Sequence, residues 1–111
     1  MTAPKMTPVE GKCPLQAYGT CEGWLLYFRA RDVWDLSAYA PGKWDPSKPV
    51  TELPTHDYFR PDAVVDEGDE DDGFPDDAGE HDYPGWWSDE YGERVLAWAL
   101  GKMAVKAGWA P

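Results

Sequence analysis

"EGWLLYFRARDVWDLSAYA", residues 22–40, decides the fold, because its apolar residues recur at every second position. Trp24, Leu26, Phe28 and Ala30 fall on one face of an extended chain, and Leu25, Tyr27, Arg29 and Arg31 on the other. After Asp32 the pattern resumes, with Trp34, Leu36 and Ala38 alternating with Val33, Asp35, Ser37 and Tyr39. Two such runs predict a β-hairpin with one face buried. Upstream, "QAYGTC" (16–21) offers a third strand, and downstream "PGKWDPSKP" (41–49) ends the pattern with turn residues.

The chain closes with a helix signature. Ser88 is a good N-cap, Asp89, Glu90 and Glu93 lie in the first turns, Lys102 and Lys106 lie near the end, and Gly108 and Pro111 stop it. On a 3.6-residue period Leu96, Ala99, Leu100, Met103 and Ala107 form an apolar arc, flanked by Tyr91, Val95 and Trp98. Residues 1–14, with Pro4, Pro8 and Pro14, read as an extended arm, and residues 40–87 as a long Pro/Gly/Asp-rich loop region that must be functional or disordered at such a length. The expected architecture is a single α+β domain over 1–111. A small antiparallel sheet of two to three strands (15–39) is packed by one C-terminal helix (88–108), with a long acidic loop region between them.

Composition supports a folded core of unusual make-up. Ile and Asn are absent, which suggests a GC-rich genome, and Leu, Val and Phe are few, but seven Trp and six Tyr supply the missing apolar area. Each buried aromatic removes roughly 150–250 Å² from water. The net charge of −11 is unevenly placed: from Asp57 to Glu93 there are 15 acids and one base, Arg60, whereas the rest of the chain carries more bases than acids. That distribution points to a dedicated surface and away from a general adaptation to solubility or salt. The N-terminus has no apolar signal-like run and no stretch is long enough to span a membrane, so a cytoplasmic protein is expected.

The densest acidity is "DEGDEDDGFPDDAGEHD" (66–82), ten carboxylates in seventeen positions without a Lys or Arg. Fully extended, it would span at most about 56–61 Å. That is one charge per ~6 Å, against one per about 1.7 Å of axis in duplex DNA. The tract must fold back on itself, or gather Asp57, Asp62, Asp89, Glu90 and Glu93 onto its face, before it can compete with a nucleic acid. A purely solvated acidic loop is the ordinary reading of a charge run. Apolar punctuation (Val64, Val65, Phe74) and the aromatics Tyr83, Trp86 and Trp87 directly after it argue for a protein-binding surface. The candidate partner-binding residues are Asp66, Glu67, Asp69, Glu70, Asp71, Asp72, Phe74, Asp76, Asp77, Glu80, Asp82, Tyr83, Trp86 and Trp87.

Other chemistries find less support. Placing Gly73 or Gly79 at the sixth position of a calcium loop puts Gly or Phe at its first position and Gly at its twelfth. Cys13, Cys21, His56 and His81 lack the paired spacing of a zinc site. The two cysteines read as thiols, with a local bridge as the alternative. "HDY" occurs at His56–Tyr58 and His81–Tyr83, and a His-Asp pair can serve metal-dependent hydrolysis, but both lie in Pro-rich loops. No phosphate loop or nucleophile motif is present, so neither a catalytic residue nor a metal or cofactor is expected. Arg29 and Arg31 are two charges on an acidic chain, too few for a nucleic-acid footprint and better suited to pairing with the acidic segment in cis.

The stretches "GWLLYFRAR" (23–31) and "VWDL" (33–36) resemble segments of small uncharacterised proteins of phages that infect high-GC bacteria. The resemblance covers those two stretches alone. It implies a phage setting, a host-cytoplasmic location, and the usual task of a small acidic accessory protein, which is to block a host enzyme, often a nucleic-acid-binding one. The functional expectation is therefore a non-enzymatic inhibitor that mimics nucleic acid towards a basic host protein, with no direct contact to nucleic acid or membrane. A structural or assembly protein with a Trp-rich oligomerisation face is the alternative, and a metal-dependent enzyme using the His-Asp pairs is a third.

Overall fold

The computed structural model describes residues 4–9, 15–31, 33–44, 47, 60–75, 81–83 and 86–109. Along the chain run β1 (Lys5–Met6), β2 (Leu15–Cys21), β3 (Trp24–Ala30), β4 (Trp34–Tyr39), β5 (Ala63–Asp66), a 3-10 turn (Glu67–Asp69), β6 (His81–Tyr83), β7 (Trp86–Trp87) and α1 (Asp89–Ala107). The first five strands form one antiparallel sheet in the order β1-β2-β3-β4-β5, and β6 pairs with β7 separately.

The α+β layout matches the expectation, but the main sheet has five strands and not two to three. Both additional strands are at the edges and are short. β1 lies within the stretch read as an arm, where Lys5 pairs with Thr20 and Met6 with Gly19. Pro4 and Pro8 flank it, and proline is tolerated on an edge strand. β5 lies within the stretch read as a loop, with Ala63 to Asp66 opposite Ala38 to Asp35. Four residues carry too little alternation to reveal a strand, and the acids that follow masked this one.

The hairpin alternation is realised in full. Leu26, Phe28 and Ala30 of β3 and Trp34, Leu36 and Ala38 of β4 enter one core with Leu15, Ala17 and Cys21 of β2, Val65 of β5, and Tyr91, Val95, Leu96, Ala99 and Met103 of α1. The other face is also buried near its centre, where Leu25, Tyr27 and Tyr39 cluster with Tyr18 and Trp44 packed against them. The expectation of one buried face fails here because these alternate positions are themselves aromatic or aliphatic. Tyr18 and Tyr27 stack with centroids 5.0 Å apart, and both hydroxyls donate to Gln16 Oε1. The β2–β3 connection is a two-residue turn in which Glu22 and Gly23 have φ of 52° and 83°. Positive φ at both central residues matches the right-handed twist of the strands.

Helix α1 begins and ends as its sequence dictates. Ser88 Oγ accepts from the Tyr91 N–H at 3.1 Å, and Gly108, at φ 81°, lets the Trp109 N–H reach the Ala104 carbonyl at 2.8 Å. Its N-terminal half is clasped by Val9, which lies between β1 and β2. Val9 is buried against it, and the Val9 N–H donates to Glu93 Oε1 at 2.6 Å. The close approach requires a glycine, since a Cβ at Gly92 would lie 2.8 Å from Leu15 Cδ1 and 3.0 Å from Val9 Cγ1. By contrast, a Cβ at Gly101 would meet nothing within 4 Å.

These two glycines of one helix should respond oppositely to alanine. Gly101→Ala should stabilise by about 0.5–1 kcal/mol through helix propensity. At Gly92 the same gain is outweighed by overpacking of about 1–3 kcal/mol against Leu15, which is fully buried, and Val9, so Gly92→Ala should destabilise. Urea unfolding of both variants, monitored by helical circular dichroism, gives the two signs.

Candidate functional site

The acidic segment is structured through Pro75, and it begins as a strand. Asp66 ends β5 and its carboxylate turns forward to accept the Gly68 N–H at 2.9 Å, while Asp69 Oδ2 accepts the Asp66 N–H at 3.0 Å. This reciprocal capping box starts the 3-10 turn. A second turn follows. Asp71 Oδ1 accepts the Gly73 N–H at 2.9 Å, and the Phe74 N–H donates to the Asp71 carbonyl at 2.9 Å. Asp is favoured in such turns because its short carboxylate satisfies backbone N–H groups two residues on. Part of the acidity is thus local turn chemistry.

Side chains from β4 and α1 fix this segment in place. Trp34, 3% exposed, stacks on Phe74 with centroids 5.7 Å apart and donates its indole N–H to Glu70 Oε2 at 3.0 Å. Trp98 meets Phe74 edge-on at 5.0 Å and Trp34 at 5.9 Å. One and two turns further along α1, Lys102 pairs with Asp71 and lies 5.3 Å from the centre of the Trp98 ring, and Lys106 Nζ sits 2.8 Å from Asp69 Oδ1. At the far end the Tyr91 hydroxyl donates to the Pro75 carbonyl at 3.4 Å. Positions 98, 102 and 106 share one side of the helix, so a single stripe holds the segment.

The charges respond accordingly. The Lys106 ammonium, then the Asp66 N–H, hold the Asp69 carboxyl below the usual carboxylate range. Lys102, then the Gly73 N–H, do the same for Asp71. Asp62, just before β5, is lowered by Lys43 at 2.7 Å and by the Ala40 N–H at 2.8 Å. The thiol of Cys21 is pushed up, chiefly by burial and then by Glu22, which makes it a poor nucleophile.

The sequence-derived residues divide into groups. Asp66, Glu67, Glu70, Asp71 and Asp72 are exposed, and Asp69 is partly so. Phe74 is half-buried in the aromatic cluster. Trp87 is 5% exposed, packed against Tyr91 at 4.7 Å, and belongs to the core. Asp82 and Tyr83 lie on β6 and Trp86 on β7. Asp76, Asp77 and Glu80 lie outside the described residues, as do His56 and Cys13. Arg29 sits opposite Asp35 across β3 and β4, and Arg31 is exposed in the turn that follows. Among the described residues, Lys102 and Lys106 form ion pairs with the acidic segment, although the sequence marked them only as helix-terminal charges.

Among the described residues no group of three or more His, Cys, Asp or Glu side chains is arranged to hold a metal ion, and no helix is long and apolar enough to cross a membrane. Comparison with protein-family models, with curated proteins and with solved structures finds no match.

The lowered carboxyls make a pH signature. The ordinary Asp pKa is about 3.9, and Asp62, Asp69 and Asp71 lie below it when folded. Their contribution to stability is therefore complete above that value and is lost as pH falls through the lower folded values. Urea midpoints should hold steady from about pH 6 to 5 and fall below about pH 4. The Lys102→Met/Lys106→Met double variant should show a shallower fall over the same range.

Proposed function

We propose that this chain is a non-enzymatic binding protein that uses its acidic segment to occupy the nucleic-acid-binding surface of a basic partner protein. The observation that carries this reading is the compaction of residues 66–72 into two successive capped turns. Those seven residues hold six carboxylates. In the 3-10 turn, Glu67–Asp69, the rise is roughly 2.0 Å per residue against about 3.3 Å in an extended chain, so the carboxylates on either side of it are drawn together. Asp69 and Asp71 face lysines and Glu70 accepts the Trp34 indole N–H, which leaves the exposed carboxylates of Asp66, Glu67 and Asp72 to face a partner. Folding back of this kind is what competition with a nucleic acid requires of a tract that is dilute when extended.

Preorganisation supports the same reading. The turns are closed before any partner arrives, so binding loses little backbone entropy. Asp66, Glu67 and Asp72 supply the outward charge, and the tract continues in sequence through Asp76, Asp77, Glu80 and Asp82. Phe74 and Trp87 serve as framework beneath the surface, which leaves Tyr83 and Trp86 as the candidate aromatic anchors. Carboxylates compete with phosphates for the partner's Lys and Arg, and such association is fast and weakens steeply with salt. In the phage setting implied by the hairpin sequence, the partner would be a host protein. The assembly alternative draws less support, since Trp34, Trp87 and Trp109 are all under 10% exposed and packed into this chain's own core.

The test is affinity capture from a bacterial lysate with the immobilised protein, at low and high salt and with competing duplex DNA. Basic nucleic-acid-binding proteins should be retained at low salt and released by salt or by DNA. The Glu67→Gln/Asp72→Asn variant keeps both capped turns and the Trp34–Glu70 bond and should retain roughly tenfold less of them. Captured proteins that are not basic, or equal capture by the variant, would contradict the proposal.

A further inference from the structure

A strand at the edge of a sheet turns the N–H and C=O of alternate residues away from its neighbour, where they can pair with another chain. Among the described residues β1 and β5 are the two edges of the main sheet. β1 has only two residues, Lys5 and Met6, which is itself a form of protection. β5 is longer, Ala63–Asp66, with two valines at its centre. Its outward groups belong to Val64 and Asp66, two residues apart, because these bond to side chains: the Val64 carbonyl accepts from Lys106 Nζ at 2.8 Å, and the Asp66 N–H donates to Asp69 Oδ2 at 3.0 Å. Lys106 Nζ also lies 2.8 Å from Asp69 Oδ1, so the two side chains that occupy the edge are paired with each other.

We propose that the Lys106–Asp69 pair is an edge guard, and that its removal opens β5 to pairing with β5 of a second copy of this chain. The first turn of the acidic segment thereby acquires a role independent of any basic partner, since it occupies the hydrogen-bonding groups that would otherwise template another strand. A second copy fits because an antiparallel two-fold pairing centred on Val65 matches Val64 of each chain with Asp66 of the other, using both outward residues. With the guard in place, the ammonium of Lys106 and the carboxylates of Asp66 and Asp69 crowd that edge with charge, the usual means of keeping edges apart.

Light scattering after size exclusion tests this with full-length protein. The Lys106→Met/Asp69→Ala variant removes both halves of the guard, the ammonium from the Val64 carbonyl and the carboxylate from the Asp66 N–H. It should retain the wild-type helical circular dichroism and show at least twice the wild-type mass at equal concentration. Adding Val64→Pro should restore the wild-type mass, because proline blocks the outward edge without touching the β4 ladder. A folded Lys106→Met/Asp69→Ala protein of wild-type mass, or a triple variant that stays associated, would overturn the proposal. Amide exchange on the unmodified protein tests the guard without any substitution. The Asp66 N–H should exchange at least about tenfold more slowly than in an unstructured peptide, and exchange at the peptide rate would overturn it.

Discussion

Trp34 is the joint on which the arrangement of sheet, helix and acidic segment depends. It is the first residue of β4, almost wholly buried, and its ring touches Phe28 of the neighbouring strand, Phe74 of the acidic segment and Trp98 of α1. A buried indole N–H needs an acceptor, and Glu70 supplies it from within the acidic run. One side chain therefore sets both an apolar and a polar condition on where residues 70–74 can lie. The lysines of α1 then add charge pairing along the same helix stripe, and β5 anchors the segment at its start by pairing with β4. Acidity that would repel itself in an open loop is distributed among caps, an indole and two ammonium groups.

The hairpin and the helix were legible in the sequence because each follows its own hydrophobic period over enough residues to be distinctive. Trp34, Leu36 and Ala38 reach the core as the alternation requires, and Ser88 and Gly108 cap the helix where they were expected. The edge strands were not legible. In β5 the alternation of Ala63 and Val65 against Val64 and Asp66 spans four residues, and β1 has only two. Their place is set by pairing with residues distant in sequence, a tertiary effect that no local pattern carries.

The acidic segment was half legible. Its separation from an ordinary domain by charge was visible, as was the need for it to fold back before it could present a dense field. The means were not. Asp66 and Asp71 act as turn-capping residues, which the spacing Asp-x-Gly at 66–68 and 71–73 signals once a turn is looked for. Lys102 and Lys106, noted only as helix-terminal charges, share with Trp98 a four-residue spacing that defines the stripe facing the segment. The aromatics were the least legible, since sequence cannot separate a buried Trp87 from an exposed one when both sit beside charge. Burial of Trp87 and Phe74 shifts any contact with a partner towards the carboxylates themselves.

The central claim is that residues 66–75 form a fixed surface and not a solvated loop. Backbone ¹⁵N relaxation tests it most directly. Order parameters of about 0.85 through residues 66–75, equal to those of β4 and α1, are the result this account requires. Values below about 0.6 over the same residues, with β4 and α1 still rigid, would contradict it.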